Sequence, residues 1–400
     1  MIPRFKPNFN HKEIISLINS KKDNVKLFEE KFACLVNCKY AITFPSGRTG
    51  LYALLKSLKI SGEVIIPAFN CIVVPASIVK SNCNPVFADI SLDDYNIKTD
   101  NLDSLLSEKT NAVIPTHMYG YPANIKKIRD IIGNDVLIIE DAAQAILTKD
   151  VGKYGDASFY SFNFEKQLFT FGGGMVTTNK QDIYEKLIEF KNTYLLSNKF
   201  SNSFSKTLYL MHTKMIFSDI LFYAFSRAWE ANASKMWKKQ NWDFNDEKTP
   251  LNEIYLEYDL KSNFHIVQGA VGLSQLEKIN NDIKKRYEIA KIYTEKLEDI
   301  EKITLPPLTN NCSYTHYTIR VENRDKFEKF MRKKGIQINK VFEYSIPHVP
   351  YFSKYIDNKN KFSNSLTASK CNVNLPIYPQ LLDRPQKISK IVNAISKYHN

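Results

Sequence analysis

Between about residue 25 and residue 180, short apolar runs alternate with helical patterns, and this alternation constrains the fold more than any other feature. Residues 40–44, 63–66, 84–89, 112–116 and 136–140 read as strands. Residues 25–38 read as an amphipathic helix, and 46–58 as a turn entering another helix. Strands that alternate with helices close into a mainly parallel sheet with helices on its faces, so the expected class is α/β. Ligands collect at the carboxyl ends of such strands. Ser46, His117, Asp141 and Lys166 all fall there.

The rhythm breaks over 181–260, where an aromatic-rich run from Leu208 to Trp229 precedes a polar, basic stretch reaching Lys248. From Lys261 a long helix is expected, followed past Pro306 and Pro307 by a smaller α+β unit. That unit reads as a strand over 317–321, a helix over 324–334, a turn and strand over 335–338 and a closing helix over 385–397. The expected division is a large cofactor-binding domain over 1–260 and a small C-terminal domain over 261–400. A hydrophobic content of 44% over 400 residues supplies a core for both.

No apolar run approaches the roughly eighteen residues of a membrane span, and Met1-Ile-Pro-Arg-Phe-Lys6 lacks an apolar leader core, so a cytoplasmic protein is expected. Six cysteines are scattered without paired metal-ligand spacing, which predicts reduced thiols and no metal. The net charge of +13 suits phosphorylated ligands, an anionic membrane surface or nucleic acid alike. Zinc-finger, RRM-like and helix-turn-helix patterns are absent, so nucleic acid is not an expected partner.

Lys166 stands as a lone lysine in an aromatic stretch that ends in Gly172, Gly173 and Gly174. Desolvation disfavours an ammonium and frees the neutral amine. Such an amine forms Schiff bases with aldehydes, of which pyridoxal phosphate (PLP) is the commonest in enzymes. PLP chemistry also needs a carboxylate on the pyridine nitrogen, for which Asp141 is placed. It needs a phosphate cradle at a helix start, which Ser46-Gly47-Arg48 and the Ser161 hydroxyl supply. Each element alone has an ordinary reading: Asp141 as a helix cap, Ser46-Gly47 as a turn, Lys166 as a surface lysine. Their order together is far more specific.

That order resembles the DegT/DnrJ/EryC1/StrS family of PLP-dependent sugar aminotransferases, over about 25–180 and 261–395. The resemblance rests on Ser46-Gly-Arg48, Ile65-Ile-Pro67, Pro85-Val-Phe-Ala-Asp89, His117-Met-Tyr-Gly-Tyr-Pro-Ala123, Glu140-Asp-Ala-Ala-Gln-Ala145 and Tyr160-Ser-Phe162 with Lys166. Val271-Gly-Leu-Ser-Gln-Leu276, Tyr344-Ser-Ile-Pro-His348 and Leu375-Pro-Ile-Tyr-Pro379 extend it. It implies that Lys166 carries the cofactor and moves the proton, Asp141 pairs with the pyridine nitrogen and Gln144 bonds the ring hydroxyl. Ser46, Gly47, Arg48 and Ser161 would hold the phosphate, with Lys261 (or Asn263) reaching it from the partner of a homodimer. His117, Tyr344 and His348 would meet the substrate, a nucleotide-linked keto-sugar aminated at the expense of a donor such as glutamate. The product would serve a surface polysaccharide or a glycosylated metabolite.

Two departures stand out. Cys71 takes the place where the family stacks an aromatic residue on the ring, leaving Phe69 or another group as the clamp. The 181–260 stretch is about twice the length that the resemblance leads one to expect; an extra helical pair is the favoured reading over an amphipathic element resting on a membrane. Two other functions share the scaffold. Sugar dehydratases of this kind carry histidine in place of the lysine, which Lys166 argues against. A non-catalytic regulatory or membrane-associated homologue would not need Lys166, Asp141, Gln144 and Ser161 together.

Overall fold

The computed structural model describes residues 1–195, 260, 262–356 and 359–399. Seven strands build the main sheet: β1 (Tyr40–Phe44), β2 (Gly62–Pro67), β3 (Cys83–Ala88), β4 (Thr110–Val113), β5 (Leu137–Asp141), β6 (Ala157–Ser161) and β7 (Gly174–Thr178). Their spatial order is β1-β7-β6-β5-β4-β2-β3. Strands β3, β2, β4, β5 and β6 pair in parallel, and β7 runs antiparallel to both β6 and β1. The chain is therefore α/β with a mostly parallel sheet, as expected.

Period-two alternation explains why the sheet is covered on both faces. Val64 and Ile66 of β2 enter one core with Leu51, Leu54 and Leu187, while Ile65 between them enters the other with Ile128 and Ile138. The first core lies under the helices Gly47–Ser57 and Gln181–Tyr194, the second under the helix Ile125–Ile132. A side chain on Gly50 would come within 2.8 Å of Val176 on β7, so the helix Gly47–Ser57 rests against the sheet with no room for a methyl group.

A second, antiparallel sheet follows, with β8 (Ile303–Thr304), β9 (Tyr317–Val321) and β10 (Asn372–Leu375) in the order β10-β9-β8. The helices Ile279–Leu297, Arg324–Lys333 and Pro385–His399 accompany it. Its core is continuous with the loops of the large sheet: Tyr293, Tyr317 and Ile319 share one cluster with Ile2, Phe69 and Tyr119.

Two expected elements take a different form. The strand over 335–338 reduces to a single bridge between Ile336 and Ile2, because the N-terminal segment supplies the partner backbone there. The long helix from Lys261 is two helices, Ile266–Leu276 and Ile279–Leu297. At their junction Gln275 and Lys278 both bond the Asn8 carbonyl and the Glu13 carboxylate, which turns the chain. Lys261 and residues 196–259, with the aromatic run, lie outside the described residues. Among the described residues, no helix is long and apolar enough to cross a membrane.

Candidate active site

Asp141 ends β5, beside the segment that leaves β4. Its backbone is locked by Asp141 N–H donating to the Pro115 carbonyl (2.8 Å) and His117 N–H donating to the Asp141 carbonyl (3.0 Å). The carboxylate is buried, at 3% exposure. Oδ1 accepts from the Ala143 N–H at 3.1 Å and Oδ2 from the Thr116 hydroxyl at 3.4 Å. Thr116 is in turn held by Asn70 Nδ2 at 2.8 Å. Burial pushes the Asp141 carboxyl above its usual range, although the Ala143 N–H, Lys166, His117 and Thr116 pull it down.

Lys166 lies on the connection between the antiparallel strands β6 and β7. A local turn sets its position, Lys166 N–H donating to the Asn163 carbonyl at 3.0 Å. Its charge acts on Asp141, on the half-buried Cys71 and on His316. Burial pushes the Cys71 thiol up, with Lys166 and Arg48 opposing and Asp141 adding to the rise. The structure thus brings Arg48, Cys71, Asp141 and Lys166 to one place.

The helix Gly47–Ser57 begins against the end of β6. A methyl group on Gly47 would lie 3.0 Å from the Tyr160 carbonyl oxygen and 3.3 Å from Cβ of Ser161. Ser46 caps this helix, its hydroxyl accepting from the Thr49 N–H at 3.2 Å and pairing with the Thr49 hydroxyl at 2.8 Å. Gln144 is buried, its Oε1 accepting from the Tyr119 N–H at 3.2 Å while Nε2 lies 3.7 Å from the Met118 sulfur. Tyr119 adopts a left-handed φ of 59° to make that contact.

Some expected contacts need correction. His117 is buried, its Nδ1 accepting from the Ala123 N–H (2.9 Å) and its Nε2 facing Glu140 Oε2 (2.8 Å). Both ring nitrogens are occupied by the protein, so this side chain supports the strand ends and has neither nitrogen left for a substrate. Phe69 is fully buried among Tyr95, Tyr119 and Phe342, and so does not clamp a ring in the site. Tyr344 does reach the loop after β2, its hydroxyl accepting from the Ile72 N–H at 3.0 Å, and its ionisation is opposed by burial first and by Cys71 second. His348 Nδ1 pairs with the Ser345 hydroxyl at 3.1 Å. Asn263 uses its Oδ1 on the Phe264 N–H at 2.8 Å.

Three groups near Lys166 escaped sequence reasoning. His316 precedes the β9 tyrosine, and its imidazole is driven well below the usual range by burial, then by Lys166, Arg286 and Arg4. Arg4 and Asn339 come from opposite ends of the chain, and no local pattern links them to residue 166. Glu165, next to the lysine, was the one available hint.

Comparison with known proteins agrees with this fold. GDP-perosamine synthase from Vibrio cholerae is 25% identical over 100% of both chains. Helicobacter pylori PseC, an aminotransferase involved in the biosynthesis of pseudoaminic acid, superposes with a TM-score of 0.77 at 19% identity, covering 100% of this chain and 99% of PseC. The E coli GDP-4-keto-6-deoxy-D-mannose-3-dehydratase has the same fold, with a TM-score of 0.74 at 18% identity over 98% and 99% of the two chains. The sequence profile of one family matches residues 13–220 and 230–396, running further into the 181–260 stretch than the motifs alone suggested. A fold with a lysine at its strand ends, matched over nearly its whole length by that profile, places this chain in the DegT/DnrJ/EryC1/StrS aminotransferase family, a family of PLP-dependent enzymes.

Proposed function

We propose that this enzyme moves an amino group from an amino acid such as glutamate onto a ketone of a nucleotide-linked sugar, for a surface polysaccharide or a glycosylated metabolite. The observation that carries the reading is Lys166 at the carboxyl edge of the sheet, where its charge is felt by Asp141 and Cys71. The name of the Vibrio cholerae relative, GDP-perosamine synthase, supports a nucleotide-linked substrate.

The residues present fit PLP. The ionised form of a carboxyl as buried as Asp141 is stabilised by a cationic N–H, which a protonated pyridine ring carries. Gly47 lies beside Ser161 at a helix start, and helix starts favour phosphate through their N–H groups and dipole. When bound, PLP supplies an electrophilic carbon and a ring that spreads the charge left at a deprotonated substrate carbon.

In this reading Lys166 Nζ would hold the cofactor, and its amine would take up and return the substrate proton. Asp141 keeps the pyridine nitrogen protonated. Gln144 would offer Nε2 to the ring hydroxyl, its Oε1 being held by the Tyr119 N–H. The Gly47 and Arg48 backbone and the Ser161 hydroxyl hold the phosphate, and Ser46 orders that turn as its cap. Tyr344 and His348 would meet the sugar nucleotide, and Lys261, outside the described residues, is the candidate for a phosphate contact across a cytoplasmic homodimer. Retention of Lys166 favours amination over dehydration.

Borohydride treatment of the PLP-loaded protein, followed by peptide mass analysis, tests the assignment. The adduct is expected on Lys166 and absent from Lys166→Ala. The untreated, PLP-loaded protein should convert glutamate and a keto-sugar nucleotide into 2-oxoglutarate and an amino sugar; no PLP binding by the unaltered chain would overturn the reading.

A further inference from the structure

Next to Lys166, three distant segments close a ring of polar contacts. Arg4 Nη2 lies 2.5 Å from Glu165 Oε1, and Arg4 Nη1 donates to Asn339 Oδ1 at 3.0 Å. Asn339 Nδ2 completes the ring by donating to Glu165 Oε2 at 3.3 Å. One carboxylate thus has each oxygen on a different donor, a guanidinium and an amide. That is the arrangement by which a protein recognises any planar carboxylate. The Arg4 and Glu165 side chains are 40% and 33% exposed, so a solute can reach them.

Lys6, Lys166 and Arg286 line an adjoining cavity together with the Asp282 carboxylate. His316 lines the same cavity as Arg4, Glu165 and Asn339, and it is kept neutral by burial and by Lys166, Arg286 and Arg4. Arg286 is buried and gives Nη1 to the carbonyls of Tyr314, Thr315 and Ile377. Its Nε has no partner among the described residues. A second cavity, lined by Lys166, Phe164 and Gln167, adjoins the first, and the two share Phe5, Glu165 and Arg286 as walls. Glu165 therefore stands between Lys166 and the Arg4–Asn339 donors.

We propose that Arg4 and Asn339 form the binding site for a carboxylate of the amino donor, and that Glu165 occupies this site as an internal stand-in that the donor displaces. The identity of the ligand as amino donor rests on the aminotransferase reading above. An internal competitor lowers the apparent affinity by the fraction of time that it holds the site. It also keeps Arg4 paired when no donor is present. Removing the competitor should tighten carboxylate binding, whereas a merely structural clasp predicts no change or a loss.

The test is calorimetric titration of the full-length, PLP-loaded protein with succinate, a dicarboxylate with no amino or keto group. Glu165→Gln is expected to tighten the succinate Kd about tenfold, and Arg4→Gln to weaken it by a similar factor. The pair combined should lose the gain. Asn339→Ala carries the same expectation as Arg4→Gln if the latter does not fold. Unchanged or weaker succinate binding by Glu165→Gln overturns the proposal. So does a gain seen for a nucleoside diphosphate and not for succinate, which would make the site one for phosphate. The succinate result does not depend on turnover, so an inactive protein that still shows it sinks the aminotransferase reading alone.

Discussion

Glu140 and His117 meet at 2.8 Å in the interior, one residue before the Asp141 carboxylate. Glu140 is fully buried and also accepts from the N–H groups of Gly152 (2.8 Å) and Gly155 (2.7 Å). Removing its carboxylate leaves three donors without their acceptor, those of His117 and Gly152 buried. Glu140→Ala should lose about 3 kcal/mol of stability, the magnitude typical of a broken buried pair, measured by urea unfolding.

Asp141→Asn should separate stability from activity. The Asp141 carboxyl is raised in the folded, cofactor-free protein, so it contributes stability below its unfolded pKa and loses that contribution as pH rises through its folded value. At neutral pH the buried carboxylate is therefore a burden on the cofactor-free fold. Asp141→Asn is expected to raise the Tm of the cofactor-free protein at pH 7.5, with a smaller effect at pH 4. Turnover should fall about 100-fold, as the charged partner of the ring nitrogen is lost, a change of about 2.7 kcal/mol in barrier. Equal Tm shifts at both pH values would contradict the assigned cause.

Gly47→Ala tests the phosphate turn by sterics alone. The added methyl would meet the Tyr160 carbonyl at 3.0 Å and crowd Ser161, pushing the helix start off β6. PLP affinity, followed by its visible absorbance, should weaken about tenfold, or about 1.4 kcal/mol, within the range of overpacking costs. Gly174→Ala has less room still, with Gly47 N only 2.4 Å from the new atom, and should fail to fold stably.

Cys71 should be a slow thiol despite its place in the site. Burial raises its pKa, and the thiolate is the reactive form. Iodoacetamide at pH 7.5 is expected to label the exposed Cys34 well before the half-buried Cys71, read by peptide mass analysis. Bound PLP should slow Cys71 further. Labelling of Cys71 first would show that the thiol is more accessible than its surroundings indicate.

The elements most legible in the sequence are those with a clean local period. Residues 40–44 and 317–321 form strands with the expected bounds, since each is a short run, buried nearly throughout, that stands out from its flanks. Sheet geometry was less accessible: nothing within Gly174–Thr178 announces that β7 runs against its neighbours, because pairing direction is set by tertiary contacts. The Lys166–Asp141 relationship was readable because both lie at strand ends on consecutive stretches of chain. The role of His117 was misread for a similar reason: its position at a strand end looked like a ligand's, and only packing reveals that Glu140 and Ala123 take both nitrogens. Arg4, Asn339 and His316 converge only through the docking of the N-terminal segment on the C-terminal sheet.

The insertion of β7 between β1 and β6 also orders events during synthesis. Phe44 finds its strand partner in Gly174, and Ser46 bridges to Gly173, so the turn that would grip phosphate has no wall until the chain past Lys166 has emerged. Closing so long a loop is slow. The nascent N-terminal half must therefore wait with the apolar edge of β1 uncovered, and a ribosome-stalled fragment ending before residue 174 should be a good client for chaperones and a poor one for the cofactor.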